Sequence, residues 1–205
     1  MNQIVLPLAW AADARDAEFL VTESNARAVQ TLEHWATWPV RTALLVGPPR
    51  SGRTLLAQVF AARSHGDVID DADRRPEVEL FHAWNRAQAE RRPLVLVASD
   101  PPPRWAITIP DLRTRLAASP VAAIEAPDDT LVRLLIERGF ERRRLDARPD
   151  LVAWLAQRVE RSHAAVIEAL DRLEIAALAS RRRLSIPFAR EVFTPDASYP
   201  EENAG

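Results

Sequence analysis

Gly47-Pro48-Pro49-Arg50-Ser51-Gly52-Arg53-Thr54-Leu55-Leu56 has the spacing of a phosphate-cradling loop, G-x-x-x-x-G-K-[ST], except that Arg53 stands where the loop takes lysine. That spacing is informative only between a buried strand and a helix. Ala43-Leu44-Leu45-Val46 is a continuous apolar run, as expected of a strand covered on both faces. Thr54–Arg63 returns to helical spacing. The two glycines leave room for backbone N–H groups to point inward, and the helix offers its positive end to phosphate. Gly47, Pro48, Pro49, Arg50, Ser51, Gly52, Arg53 and Thr54 are therefore the candidate nucleotide-binding residues.

Two further residues belong to the same chemistry. The Thr54 hydroxyl is placed to meet a magnesium ion, and Asp70, ending the short apolar pair Val68-Ile69, is the natural carboxylate for that ion if nucleotide is bound. A polar turn capping a strand explains Asp70-Asp71 as well. Arg53 is ambiguous in its own way. The chain contains no lysine, so all 27 basic residues are arginine, and drift in composition competes with a functional change. Charge survives the replacement, but a planar guanidinium is bulkier than an ammonium and fits a γ-phosphate differently. Binding is expected to persist while hydrolysis suffers. Asp71, shorter than the glutamate usual for a general base, points the same way.

Working outward, apolar spacing predicts a helix over Asn25–Trp38, a helix from Pro76 to Glu90, a strand at Leu94–Ala98, a short helix over Leu112–Ala118 and a strand at Val121–Ile124. After Pro127 no strand candidate remains before about Arg183, and helices are expected over Thr130–Arg142, Pro149–Val159, Ser162–Ser180 and from Ile186. Alternating strands and helices followed by helices alone imply an α/β three-layer parallel sheet with an all-helical lid. The expected division is an extended arm at 1–10, a core at 11–127, a lid at 128–193 and a flexible tail at 194–205. With 205 residues and 47% hydrophobic content, a substantial core can be buried. A net charge of −2 supplies no global basic field, so no direct sequence-specific DNA binding is expected. The absence of cysteine excludes a disulfide scaffold and leaves the redox compartment open. No apolar run is long enough for a membrane span and the start lacks the basic front of a secretory signal, so a cytoplasmic protein is expected.

The order of these motifs resembles that of DnaA-type AAA+ proteins: Asn25, Gly47–Thr54, Asp70-Asp71, Ser99-Asp100-Pro101-Pro102 and Leu112-Arg113-Thr114-Arg115-Leu116. The segment Arg182-Arg183-Leu184-Ser185-Ile186-Pro187-Phe188-Ala189-Arg190-Glu191 looks like the end of the lid in Hda, the DnaA-related regulator. Gln3-Ile4-Val5-Leu6-Pro7-Leu8 resembles the peptide by which Hda docks on the sliding clamp.

That resemblance implies several roles. Arg115 falls on the arginine that acts in trans as a finger on ATP bound to DnaA, Asp100 on the sensor 1 region, and Gln3, Leu6, Pro7 and Leu8 on the clamp-binding peptide. Ala164 falls where the lid would carry its sensor 2 arginine. With Arg53, Asp71 and Ala164 all altered, ADP is the expected occupant, with ATP or no nucleotide left open and Mg²⁺ as the implied ion. Only 17 residues, 53–69, separate Gly52 from Asp70, too few for the additional strand–helix pair of an AAA+ core. About four core strands are expected, with a former inner strand at the edge.

The function so implied is that of an Hda-like negative regulator of replication initiation, partnered with DnaA and the polymerase III sliding clamp (beta subunit). Its own ATPase activity would be weak or absent. A homodimer is compatible with this reading. The chain is too short after the lid to carry DnaA's DNA-binding domain, so a full initiator is not expected. Two rivals stand beside it: a self-contained P-loop ATPase such as a helicase loader, and a non-catalytic AAA+ scaffold.

Overall fold

The computed structural model describes residues 19–194; the arm with Gln3, Leu6, Pro7 and Leu8, and the tail from 195 onward, lie outside the described residues. Two compact units meet in the chain at Leu131 and Val132, with Ser162–Ala164 grouped with the first.

The first unit is built on β1 (Thr42–Val46), β2 (Asp67–Ile69), β3 (Leu94–Ala98) and β4 (Val121–Ala123). All pairings are parallel, in the order β2-β3-β1-β4. Every residue of β1 and β3 is buried, because helices cover both faces. The two-residue period of a strand divides the apolar run between two cores. Ala43, Leu45, Val95 and Val97 meet α1 (Glu23–Glu33) and α2 (Arg53–Ser64) through Ala28, Leu32, Leu56 and Phe60. Leu44, Val46, Leu94 and Leu96 meet α3 (Glu77–Glu90) and α4 (Pro110–Ala117) through Leu80, Ala83, Leu112 and Leu116.

Four strands is the shortened sheet that the spacing between Gly52 and Asp70 predicts. It leaves β2 at an edge, hydrogen-bonded to β3 alone. That edge is only three residues long and opens on a charge. Asp67 pairs with Arg92 at 3.0 Å, and Arg92 Nε donates to His65 O at 2.7 Å. Shortness and an ion pair both discourage a further strand from adding there.

Two helix ends differ from the sequence expectation. The helix expected over Asn25–Trp38 stops at Glu33 and is followed by a single tighter turn, Trp35–Thr37. Trp38 leaves the helix to bury its ring, stacking on Phe60 with centroids 5.6 Å apart, and donates its indole N–H to Thr31 O. The helix expected over Pro149–Val159 stops at Ala156, where the N–H groups of Arg158 and Val159 both return to Leu155 O.

The second unit, described by itself, packs α5 (Asp129–Arg142), α6 (Pro149–Ala156), α7 (His163–Ser180) and α8 (Ile186–Phe193) around Ile136, Phe140, Leu151, Leu155, Leu170, Leu173 and Phe188. Gly139 lets α5 and α7 approach, since a Cβ there would stand 2.2 Å from Leu170 Cδ1. Arg143 joins both Asp171 and Glu174 on α7. Ser185 caps α8 by accepting the Phe188 N–H. No helix of the described residues is long and apolar enough to cross a membrane.

Asp128, which belongs to the first unit, joins two backbone segments of that unit. Its carboxylate accepts the Leu131 N–H at 2.7 Å and the Ser24 N–H at 3.1 Å, in the first turns of α5 and α1. Burial alone would raise its pKa, but the hydrogen bonds from Leu131, Thr22 and Ser24 outweigh it and hold the group below the ordinary carboxylate range. A folded pKa below the unfolded one means that the stabilisation is complete above about pH 4 and is lost as pH falls through the folded value. Asp128→Ala should cost about 1 kcal/mol at pH 7. Urea unfolding should show that gap closing as the pH falls below about 4.

Candidate functional site

The phosphate-loop segment leaves β1 at Gly47 and runs against the end of β4. A Cβ at Gly47 would lie 2.8 Å from Ile124 O, so the position has no room for a side chain. The Ser51 N–H returns to Pro48 O, and Arg50 (φ 62°) and Gly52 (φ 85°) take left-handed conformations that turn the chain into α2. No side chain caps α2, and its first backbone bond is Leu56 N–H to Gly52 O. The leading N–H groups of that helix therefore have no partner within it, and the positive end of its dipole faces the loop.

Beside this turn lies a cavity of about 560 Å³ lined by Val46, Gly47, Pro48, Pro49, Ser99, Asp100 and Pro101. Parallel strands bring these segments together, because β1 and β3 are paired in register and end side by side at Val46 and Ala98. Asp100 is held at the rim. Its carboxylate takes a hydrogen bond from Arg104, 2.5 Å away, and its carbonyl accepts the Trp105 indole N–H.

Thr54 and Asp70 meet as the sequence reading requires. Thr54 Oγ1 donates to Asp70 Oδ2 at 2.7 Å, across 16 residues of sequence and on an exposed surface. Asp70 Oδ1 also accepts the Asp71 N–H. A hydroxyl and a carboxylate oxygen side by side form a donor set suited to a hard divalent cation. Asp71 takes a left-handed conformation, φ 51°, at the turn after β2.

Arg53 is where sequence and structure differ most in what they say. Its Nη1 donates to Ala98 O, the last carbonyl of β3. The guanidinium is thus engaged at the base of the loop, a contact that spacing gives no means of seeing. Ser51 is buried, and its hydroxyl finds no partner among the described residues.

Arg115 lines none of that cavity. It projects from α4 onto α3, with Nη1 donating to Asn85 Oδ1 and Nη2 2.7 Å from Asp111 Oδ2. Its guanidinium carbon lies 4.5 Å from the Trp84 ring centroid and 4.8 Å from that of Phe81. The side chain remains 24% exposed, so it is braced rather than enclosed. Ala164, in the first turn of α7, is exposed and has no side-chain donor to offer.

Sequence reading missed Phe19 and the way it is held. Phe19 is buried against Gly52, where an added Cβ would meet its ring at 3.1 Å. The segment leading into α1 is fixed by Asn25, which donates to Leu20 O at 2.8 Å and accepts the Thr22 N–H at 2.9 Å. The signal was present: Thr22-Glu23-Ser24-Asn25 has the spacing of a reciprocal cap, with Thr22 before the helix and Asn25 bonding back. Gly47→Ala should lower stability by about 1–3 kcal/mol, because the atom it meets is backbone and cannot swing away. Thermal unfolding of the variant checks it.

Comparison with known proteins bears on both units. Residues 128–193 match the family model described as the lid domain of Hda. Domain III of the Thermotoga maritima replication initiation protein DnaA is similar in fold at a TM-score of 0.71 and 15% identity, with 84% of this chain and 92% of that one covered. A variant of Thermotoga maritima RuvB gives 0.62 at 16% identity over 85% and 69%. AMPPCP-bound DnaA from Aquifex aeolicus gives 0.61 at 13% identity over 78% and 65%. At such identities the structural likeness concerns the fold.

Proposed function

We propose that this chain, an Hda-like, DnaA-related AAA+ protein by its lid and its core, restrains replication initiation by promoting hydrolysis of ATP held by DnaA. In this reading residues 1–10 tether it to the DNA-loaded sliding clamp. Arg115 faces the nucleotide of a DnaA partner, where a guanidinium neutralises charge on the transferring phosphoryl group.

The observation that carries the reading is the engagement of Arg53. With its guanidinium given to Ala98 O, the residue at the lysine position of the loop is directed to the sheet. Asp71 is short for a general base, and Ala164 has nothing to give a γ-phosphate. These three features suit a nucleotide kept for architecture, with ADP as the occupant. The pairing of Thr54 with Asp70 suits Mg²⁺ beside it. When bound, the ion would be held by that hydroxyl and carboxylate and would neutralise phosphate charge. The uncapped start of α2 would receive the phosphates themselves. That DnaA from Aquifex aeolicus binds AMPPCP supports an adenine nucleotide here.

Arg115→Ala should slow loss of ATP-loaded DnaA on clamp-loaded DNA on the order of 10³-fold, in a protein that still folds but melts at a lower temperature because the contacts with Asn85, Asp111 and the two rings are gone. An unaltered rate would remove the mechanism. The engagement of Arg115 by Asn85, Asp111 and two rings favours one second reading, a scaffold that meets DnaA without a finger. In that case Arg115→Ala leaves both docking and hydrolysis as they were. Deleting residues 1–9 should abolish co-elution with the clamp and preserve the fold. Appreciable ATP turnover by the isolated protein, lost in Asp70→Ala, would instead make it a self-contained ATPase.

A further inference from the structure

The contacts of Arg115 form a built arrangement rather than a chance packing. Helix α4 is fixed against α3 from its first residue, because the Glu77 carboxylate accepts the N–H groups of Thr108 and Ile109, each at 2.8 Å. Those two backbone hydrogen bonds hold Glu77 below the usual carboxylate range. Ile109 is the residue before α4, so the helix start is anchored to the first turn of α3. Two turns along, α3 presents Phe81, Trp84 and Asn85 in a row of helical spacing, and the Arg115 side chain lies over them. Asp111, one turn before Arg115 on α4, takes a second edge of the guanidinium.

We propose that Trp84, supported by Phe81, Asn85 and Asp111, is a positioning platform for Arg115. The platform presents the guanidinium to an anionic group on a partner protein. It rests on the reading of Arg115 given above. Rings hold a guanidinium by its charge and its face without consuming its N–H groups. Asn85 and Asp111 use one donor each on Nη1 and Nη2. An arginine carries more donors than that, so the remainder stay available to phosphate oxygens.

An unsupported arginine loses much side-chain freedom when it engages a partner. A braced one has lost it already, which is the general advantage of a preorganised charge. The platform is therefore a device for rate: it governs how well the finger acts once the partner is docked, and not how tightly the partner docks.

Trp84 offers a clean test, because its indole N–H has no hydrogen-bond partner among the described residues. Replacing it with phenylalanine keeps a ring face and breaks no hydrogen bond. Leucine keeps apolar bulk and removes the face. Hydrolysis of DnaA-bound ATP on clamp-loaded DNA is measured against the concentration of the intact protein for Trp84→Leu, Trp84→Phe, Asp111→Asn and Arg115→Ala. Unfolding curves are recorded for each.

Trp84→Leu is expected to lower the maximal rate by about fivefold or more, with the half-saturating concentration changed less than about twofold. Trp84→Phe should restore at least about half of the parent rate, since a ring face remains. Should Trp84→Leu fail to fold, the exposed Asp111→Asn decides, with a lowered maximal rate expected at unchanged half-saturation.

A parent-like maximal rate for Trp84→Leu, with Arg115→Ala inactive, overturns the platform and leaves the finger standing. Equal losses in the leucine and phenylalanine variants also overturn it. Arg115→Ala at the parent rate overturns both. A loss confined to half-saturation would make Trp84 a docking residue and defeat the proposal.

Discussion

A single close approach organises the loop end of the core. Gly47 passes so near the carbonyl of Ile124 that no β-carbon fits between them, and this sets where the chain leaves β1. From that point the loop must turn within a few residues, which it does through left-handed conformations at Arg50 and Gly52. The start of α2 is then delivered, uncapped, to the ends of β1 and β3. A parallel sheet makes this arrangement natural, since its strands all end on one side and the loops after them share one rim. Asp70 and Asp100 reach that rim from β2 and β3 for the same reason.

The two arginines that matter are both held, in contrasting ways. Arg53 is tied to a main-chain carbonyl at the end of β3, within the cradle that its own loop forms. Arg115 is tied to side chains on a neighbouring helix and keeps part of itself exposed. A main-chain carbonyl is a fixed acceptor in the sheet, so the first contact commits a guanidinium to the interior of this molecule. Arg115 spends two N–H groups, on Asn85 and Asp111, but its acceptors and the two rings lie on surface helices, so its remaining donors are held near the outside. The proposed division of labour follows from that contrast.

The four-stranded sheet keeps its centre independent of its border strand. Removing a strand at the border leaves the pairing of β1 with β3 and β4 untouched, and both cores remain filled by the alternation of Ala43 and Leu45 against Leu44 and Val46. β2 lies half-buried at the margin, guarded by its brevity and by Asp67 with Arg92. Deleting an inner strand would have separated the loop from its neighbours.

The sequence by itself determined local features: apolar runs at β1 and β3, glycines at 47 and 52, the short spacing between Gly52 and Asp70, and the helical character after Pro127. Each is a local property, carried by periodicity or by spacing along the chain. Thr54 and Asp70 were legible as partners because the loop and the following strand impose their meeting. Tertiary structure alone decided what Arg53 and Arg115 touch, that Phe19 covers Gly52, and that Trp38 breaks from its helix to stack on Phe60. Those outcomes depend on side chains reaching across elements far apart in sequence, and a chain without lysine gives no compositional hint of what each arginine touches.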